Sequence, residues 1–126
     1  MTSSPIKSVL VVDDSRLARM LISKYILSKH PHWLILEASS GQEAVEKARV
    51  ESPNYVTMDY NMEGMTGAEA ARQILSDAPQ THIVLFTANI QTSTRTQAAD
   101  LGIHFVGKPV TEQTVQQALD YFSSRS

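Results

Sequence analysis

Five polar residues in this chain have side chains that can do chemistry and sit where chemistry is usually done: Asp13, Asp14, Asp59, Thr87 and Lys108. Each ends or closely follows a short run of β-branched and apolar residues. If those runs are parallel strands, the five groups meet at one edge of the sheet. Three carboxylates gathered there repel one another. A single pair ~4 Å apart costs about 4 kcal/mol at an effective dielectric of ~20. Either one carboxyl keeps a proton or a cation neutralises the group. An all-oxygen donor set with room for water suits Mg²⁺ or Mn²⁺ better than zinc. A divalent cation beside the Lys108 ammonium would prepare the site for a dianion such as phosphate. A carboxylate there could act as nucleophile toward phosphorus and form an aspartyl phosphate. The metal and Lys108 would then offset charge on the transferring oxygens.

The elements that must position these groups are legible as alternating patterns. Strands are predicted over Ser8–Val12, Trp33–Glu37, Tyr55–Met58, His82–Phe86 and Ile103–Val106. Several are near-continuous apolar runs, as expected of strands covered on both faces. Between them lie helix signals. Ser15 can cap a helix with Ala18, Ile22 and Ile26 on one face. Ser40 to Glu43 and Thr66 to Glu69 read as capping boxes. A polar fourth helix is predicted from Thr92 or Ser93 to about Gly102. Thr111 can cap a fifth, where Val115, Ala118, Leu119 and Phe122 form a core-facing stripe. Five βα units imply an α/β fold, with one parallel sheet between helical layers and right-handed crossovers. Ligands of such folds bind beyond the carboxyl ends of the strands, where the chemical residues fall.

Composition narrows the function classes. The 126 residues are 42% apolar and 19% charged, which suits one globular domain, 1–126, ordered over roughly residues 6–122. A net charge of −2 without a basic stripe argues against direct nucleic-acid binding. The absence of cysteine excludes disulfides, zinc–thiolate sites and thiol catalysis. The apolar run Val9–Val12 is too short for a membrane span or a signal-peptide core. The expectation is a cytoplasmic protein without a membrane anchor.

Four strings appear in order: Val11-Val12-Asp13-Asp14-Ser15; Met58-Asp59-Tyr60-Asn61-Met62 with Met65 and Gly67; Leu85-Phe86-Thr87-Ala88; and Phe105-Val106-Gly107-Lys108-Pro109. Together they resemble the receiver domains of two-component response regulators, of the chemotaxis-receiver type, over nearly the whole chain. The resemblance implies a flavodoxin-like (βα)5 fold with strand order 2-1-3-4-5. It implies that Asp59 is the phosphoacceptor. It implies that Mg²⁺ is held by Asp14, Asp59, the backbone carbonyl of Asn61 and, partly through water, Asp13. Lys108, followed by a kinked, cis peptide to Pro109, would contact one phosphoryl oxygen and Thr87 another. Ala88 would leave the phosphoryl group a way in, and Asn61 and Asn89 occupy positions that tune its lifetime. Thr87 and Phe105 would form the switch. Phe105 lacks a tyrosine hydroxyl, so it would act by rotation into a cavity. Glu63 stands where the family very often has proline and adds a carboxylate near the metal loop. The implied partners are a sensor histidine kinase or histidine phosphotransfer protein and a downstream protein that reads the fourth helix, fifth strand and fifth helix. The implied catalysis is limited to self-phosphorylation and slow self-dephosphorylation.

Blander and rival readings stand beside this one. Asp13 and Asp14 could merely cap the first helix, and Lys108 could be a solvated loop charge. Met58, Met62 and Met65 read as packing. His30, His32, His82 and His104 lack metal-ligand spacing, and His30-Pro31-His32 reads as an exposed turn. An aspartyl-nucleophile phosphatase would want a proton-transferring acid two residues after Asp59, where Asn61 stands. A flavodoxin-like electron carrier would want a hydroxyl- and glycine-rich loop in place of Asp13-Asp14-Ser15. The chain could be a stand-alone regulator or a domain of a longer protein.

Overall fold

A computed structural model describes residues 6–88 and 92–125. Five parallel strands alternate with five helices: β1 Ser8–Val12, α1 Arg16–Lys29, β2 Leu34–Ala38, α2 Gly41–Glu51, β3 Tyr55–Asp59, α3 Gly67–Asp77, β4 His82–Thr87, α4 Thr92–Leu101, β5 His104–Gly107 and α5 Glu112–Arg125. The strand order is β2-β1-β3-β4-β5, as the resemblance implied. Strands β2 and β5 each begin one residue later than the apolar runs suggested, because pairing to β1 and β4 decides which residues are in register.

Alternation along the strands feeds two cores. Leu10, Val12, Val56, Met58, Ile83 and Leu85 pack under α2 and α3 on one face. Val9, Val11, Tyr55, Val84, Phe86 and Val106 meet Ile22 and Ile26 of α1 and the whole α5 stripe on the other. The inner strands are buried on both faces, which is why they read as unbroken apolar runs.

The caps behave largely as their residue types require. The hydroxyls of Ser15, Ser40 and Thr66 accept from the backbone N–H groups of Ala18, Glu43 and Glu69. One box is displaced: the Glu43 carboxylate reaches the N–H of Ser39, at 2.7 Å, and not that of Ser40. At α5, Thr111 and Thr114 exchange hydroxyl-to-backbone bonds of 2.8 and 3.1 Å. Gly102 ends α4 with a φ of +70°, a conformation glycine adopts without steric cost. The turn at His30 is less open than expected, since His30 stacks on Trp33 with ring centroids 3.8 Å apart.

Candidate active site

Register assembles the site. Val12 pairs with Met58, so Asp13 and Asp59, one residue further on each strand, emerge side by side. Asp59 in turn pairs with Phe86, and Thr87 with Gly107, which delivers Lys108 to the same edge. One oxygen from each of Asp13, Asp14 and Asp59 lies within 4.8 Å of the others. Asp13 and Asp59 are buried, at 1% and 4% exposure, and Asp14 is exposed. The Lys108 ammonium sits 3.1 Å from Asp59 Oδ1 and 3.5 Å from Asp13 Oδ2, bridging the two buried carboxylates.

The loops are held by specific bonds. The backbone N–H of Ser15 donates to Asp13 Oδ1 at 2.9 Å, so this carboxylate caps the turn and faces the pocket at once. The N–H of Asp13 donates to the Ala38 carbonyl at 3.1 Å. The N–H of Asn61 bonds to the Asp59 carboxylate. The N–H of Lys108 donates to the Thr87 carbonyl at 2.8 Å, and the Lys108–Pro109 peptide is cis. Thr87 is buried at the end of β4, Ala88 beyond it is exposed, and Phe105 is half-buried against the α2–α3 core. Glu63 is exposed and does not join the three-aspartate cluster. Asn89 lies outside the described residues.

Burial pushes the Asp59 carboxyl above its ordinary range, and the nearby Asp13 charge pushes it further, against the pull of Lys108. Lys108 also moves up. Burial is the largest single influence and lowers it, but bonding and attraction to Asp59 and Asp13 together prevail. The two partners of one ion pair thus differ in sense: the pairing favours charged Lys108 outright but only partly offsets the cost of charged Asp59. The asymmetry is physical, because Lys108 faces two opposite charges whereas Asp59 faces one of each sign.

Three residues that position the site carry no catalytic signature and were missed. Arg19 donates through Nη1 to the Asp13 carbonyl at 2.7 Å and through Nε to Glu37 at 2.9 Å, clamping the loop after β1 to β2. Gly67, read in a capping box and in the string after Asp59 but given no role there, has no room for a side chain: a Cβ would lie 2.3 Å from the Asp59 carbonyl oxygen. The hydroxyl of Tyr60, next to Asp59, donates to Gln97 Oε1 on α4 at 2.7 Å. Gly67 and Tyr60 left a trace in the sequence, as members of the string around Asp59, though without a role assigned, whereas Arg19 left none.

The donor set is three carboxylates, hard oxygen ligands crowded closely enough to share one divalent cation, with an ammonium at the rim. Comparison with known proteins agrees with this frame. Residues 9–120 match the family described as the response regulator receiver domain. The chemotaxis protein CheY of Thermotoga maritima is 36% identical over 118 residues, covering 93% of this chain and 98% of that protein. The response regulator protein VraR of Staphylococcus saprophyticus is 33% identical over 116 residues, covering 91% of this chain. The chain spans only 55% of that relative's length. Among solved structures, the response regulator domain of Thermotoga maritima CheB superposes with a TM-score of 0.82 at 27% identity, covering 96% of each chain.

Proposed function

This chain belongs to the response regulator receiver family, and from that premise we propose that Asp59 is the phosphoacceptor of a two-component signalling switch. The observation that carries the proposal is Lys108 spanning Asp59 and Asp13 within a cluster of three carboxylates. A carboxylate oxygen of Asp59 attacks the phosphorus of a phosphohistidine on a sensor kinase or phosphotransfer protein. The O–P bond forms as the P–N bond breaks, and the released imidazole nitrogen takes up a proton. Asp13, Asp14 and Asp59, with the backbone carbonyl of Asn61, would hold Mg²⁺ or Mn²⁺, which supplies positive charge to the transferring oxygens. Lys108, already 3.1 Å from Asp59, needs little movement to contact a phosphoryl oxygen. The Thr87 hydroxyl contacts another, and exposed Ala88 leaves the approach open. Asn61 carries no acidic proton, which favours a persistent acyl phosphate over turnover of many substrates.

The new group adds about −1.5 to −2 charges at the sheet edge. It draws Thr87 and Lys108 inward and lets Phe105 follow. The face formed by α4, β5 and α5 then changes, and a protein partner reads it as a shift between two packings. No helix of the described chain is long and apolar enough to cross a membrane, and we place the switch in the cytoplasm.

The test is incubation with Mg²⁺ and an acyl phosphate, followed by intact-mass measurement. One phosphoryl addition is expected, labile to hydroxylamine, and absent from Asp59→Ala. An adduct that survives Asp59→Ala, or a wild type that gains no phosphoryl group and binds no beryllofluoride in the presence of Mg²⁺, overturns the assignment.

A further inference from the structure

The end of the sheet opposite Asp59 holds a second candidate site. We propose that a pocket at the N-terminal edge of β4 and β5 binds a small organic anion, its acidic head against Arg125, His82 and His104 and its apolar body against Leu75 and Leu101. The cavity is about 490 Å³, within the range of ~300–1,000 Å³ common for small-ligand sites.

Its construction follows from the topology. His82 and His104 begin adjacent strands. Val84 pairs with His104, so His82, two residues before Val84, points to the same face of the sheet. Tyr121 of α5 stacks on His104 with centroids 4.9 Å apart, and its hydroxyl donates to the Gly102 carbonyl at 3.4 Å. Arg125, one turn further on, lies over the Tyr121 ring at 5.0 Å. Tyr121 thus touches one imidazole and one guanidinium, and all three groups line the cavity.

Charge selects the ligand. No Asp or Glu lines the cavity, and among the described residues no carboxylate pairs with Arg125. Helix α3 contributes Leu75, the end of α4 contributes Leu101, and Gly102 follows it, all uncharged. Lys7, ahead of β1, adds to the positive field at His82. Both imidazoles are held below their ordinary range, first by burial and then by Arg125, with Lys7 also acting on His82. Arg125 and Lys7, the electrostatic and smaller part of that displacement, supply the field that attracts an anion. A bound anion beside the imidazoles opposes that electrostatic part and favours their protonated forms, so binding should strengthen as pH falls.

The chemistry is shared by carboxylates and phosphates, so the probes must separate them. The full chain, free of divalent cations, is titrated with benzoate, phenyl phosphate, inorganic phosphate and benzyl alcohol while backbone amide resonances are followed at pH 6 and pH 8. Saturable shifts are expected at His82, Gly102, Ile103, His104 and Arg125 for the two aromatic anions, with whichever binds more tightly identifying the head group. Arg125→Gln, on an exposed helix end and checked by an unchanged melting temperature, should weaken binding about tenfold. His82→Gln with His104→Gln should abolish the tighter binding at pH 6. The proposal is overturned by any of three results: equal affinity in Arg125→Gln, binding of benzyl alcohol as tight as benzoate, or shifts confined to the Asp59 edge.

Discussion

Replacing Asp59 with Asn should stabilise the metal-free protein at neutral pH, although it removes half of the shortest ion pair in the pocket. Asp59 is nearly inaccessible, and its burial, Lys108 and Asp13 are the largest of the contributions that compete there, the exposed Asp14 being screened by solvent. Lys108 at 3.1 Å attracts it by about 332/(20 × 3.1), or ~5.4 kcal/mol. Asp13, at no more than 4.8 Å, repels it by about 332/(20 × 4.8), or ~3.5 kcal/mol. The difference, ~2 kcal/mol of net attraction, is smaller than the several kcal/mol that burying a carboxylate costs. Desolvation therefore decides the sign, in keeping with the upward displacement of the Asp59 carboxyl. Asparagine keeps the shape and drops the charge, so a gain of ~1–2 kcal/mol is expected, a rise in melting temperature of roughly 4–8 °C for a domain of this size. The pH dependence is diagnostic. A carboxyl raised on folding costs nothing below the ordinary carboxylate value, where it is protonated in both states. The cost grows between that value and the raised one and is complete above it. The assay is urea unfolding of wild type and Asp59→Asn with chelator present, from pH 3 to pH 8. A loss of stability at pH 7 would mean that the Lys108 pairing outweighs burial, and a gain equally large at pH 3 would mean that the carboxylate charge is not its source; either would refute the reasoning.

Gly67→Ala should cost at least ~2 kcal/mol in urea unfolding, because the added methyl meets the Asp59 backbone oxygen at 2.3 Å and only a shift of the loop can relieve it. The same variant should take up phosphoryl groups from an acyl phosphate more slowly, since the displaced segment carries Asp59 itself. Thr57→Val should be neutral or stabilising by up to ~1 kcal/mol in the same assay, because the buried Thr57 hydroxyl finds no hydrogen-bond partner and valine removes it without changing the side chain's shape. Tyr60→Phe should cost about 1 kcal/mol through loss of the bond to Gln97, with faster amide hydrogen exchange concentrated in α4.

The architecture was readable because each element satisfied several local requirements at once. Strands β1, β3 and β4 are buried on both faces and so appear as apolar runs, and Ser15, Ser40, Thr66 and Thr111 mark helix starts by the hydroxyls they place at caps. The edge strands were less legible: β2 is partly exposed along most of its length, so hydropathy alone could not set its limits. The gathering of Asp13, Asp59 and Lys108 could be foreseen because each lies at the same end of its strand. The supports of that site were hidden for a different reason. Arg19, Gly67 and Tyr60 act through contacts between segments distant in the chain, to Glu37, to the Asp59 backbone and to Gln97. No local periodicity encodes such contacts, so an arginine on a helix surface or a tyrosine in a loop reads as ordinary until the fold closes around it.

The polarity of α4 acquires a physical reason from those hidden contacts. From Thr92 to Leu101 its only apolar residues are two alanines and a leucine, so it cannot be fastened to the sheet by a buried stripe like that of α5. Besides the packing of Leu101 on the α2–α3 core, two contacts of another kind help to tie it down. Gln97 accepts from the Tyr60 hydroxyl, and the Arg95 guanidinium lies 5.6 Å from the centre of the Phe105 ring. Each contributes about 1 kcal/mol or less, whereas the α5 stripe of Val115, Leu119 and Phe122 with Ala118 contributes several times that sum. Both ties end on residues that a phosphoryl group on Asp59 would disturb: Tyr60 adjoins the acceptor, and Phe105 lies on the strand that leads to Lys108. Under the proposed switch, a helix whose described ties are these two contacts and one partly buried leucine could be released by a modest electrostatic change in the pocket. A helix anchored like α5 could not. On this argument, burying more apolar surface under α4 would raise stability and weaken the switch together, because both follow from how lightly that one helix is held.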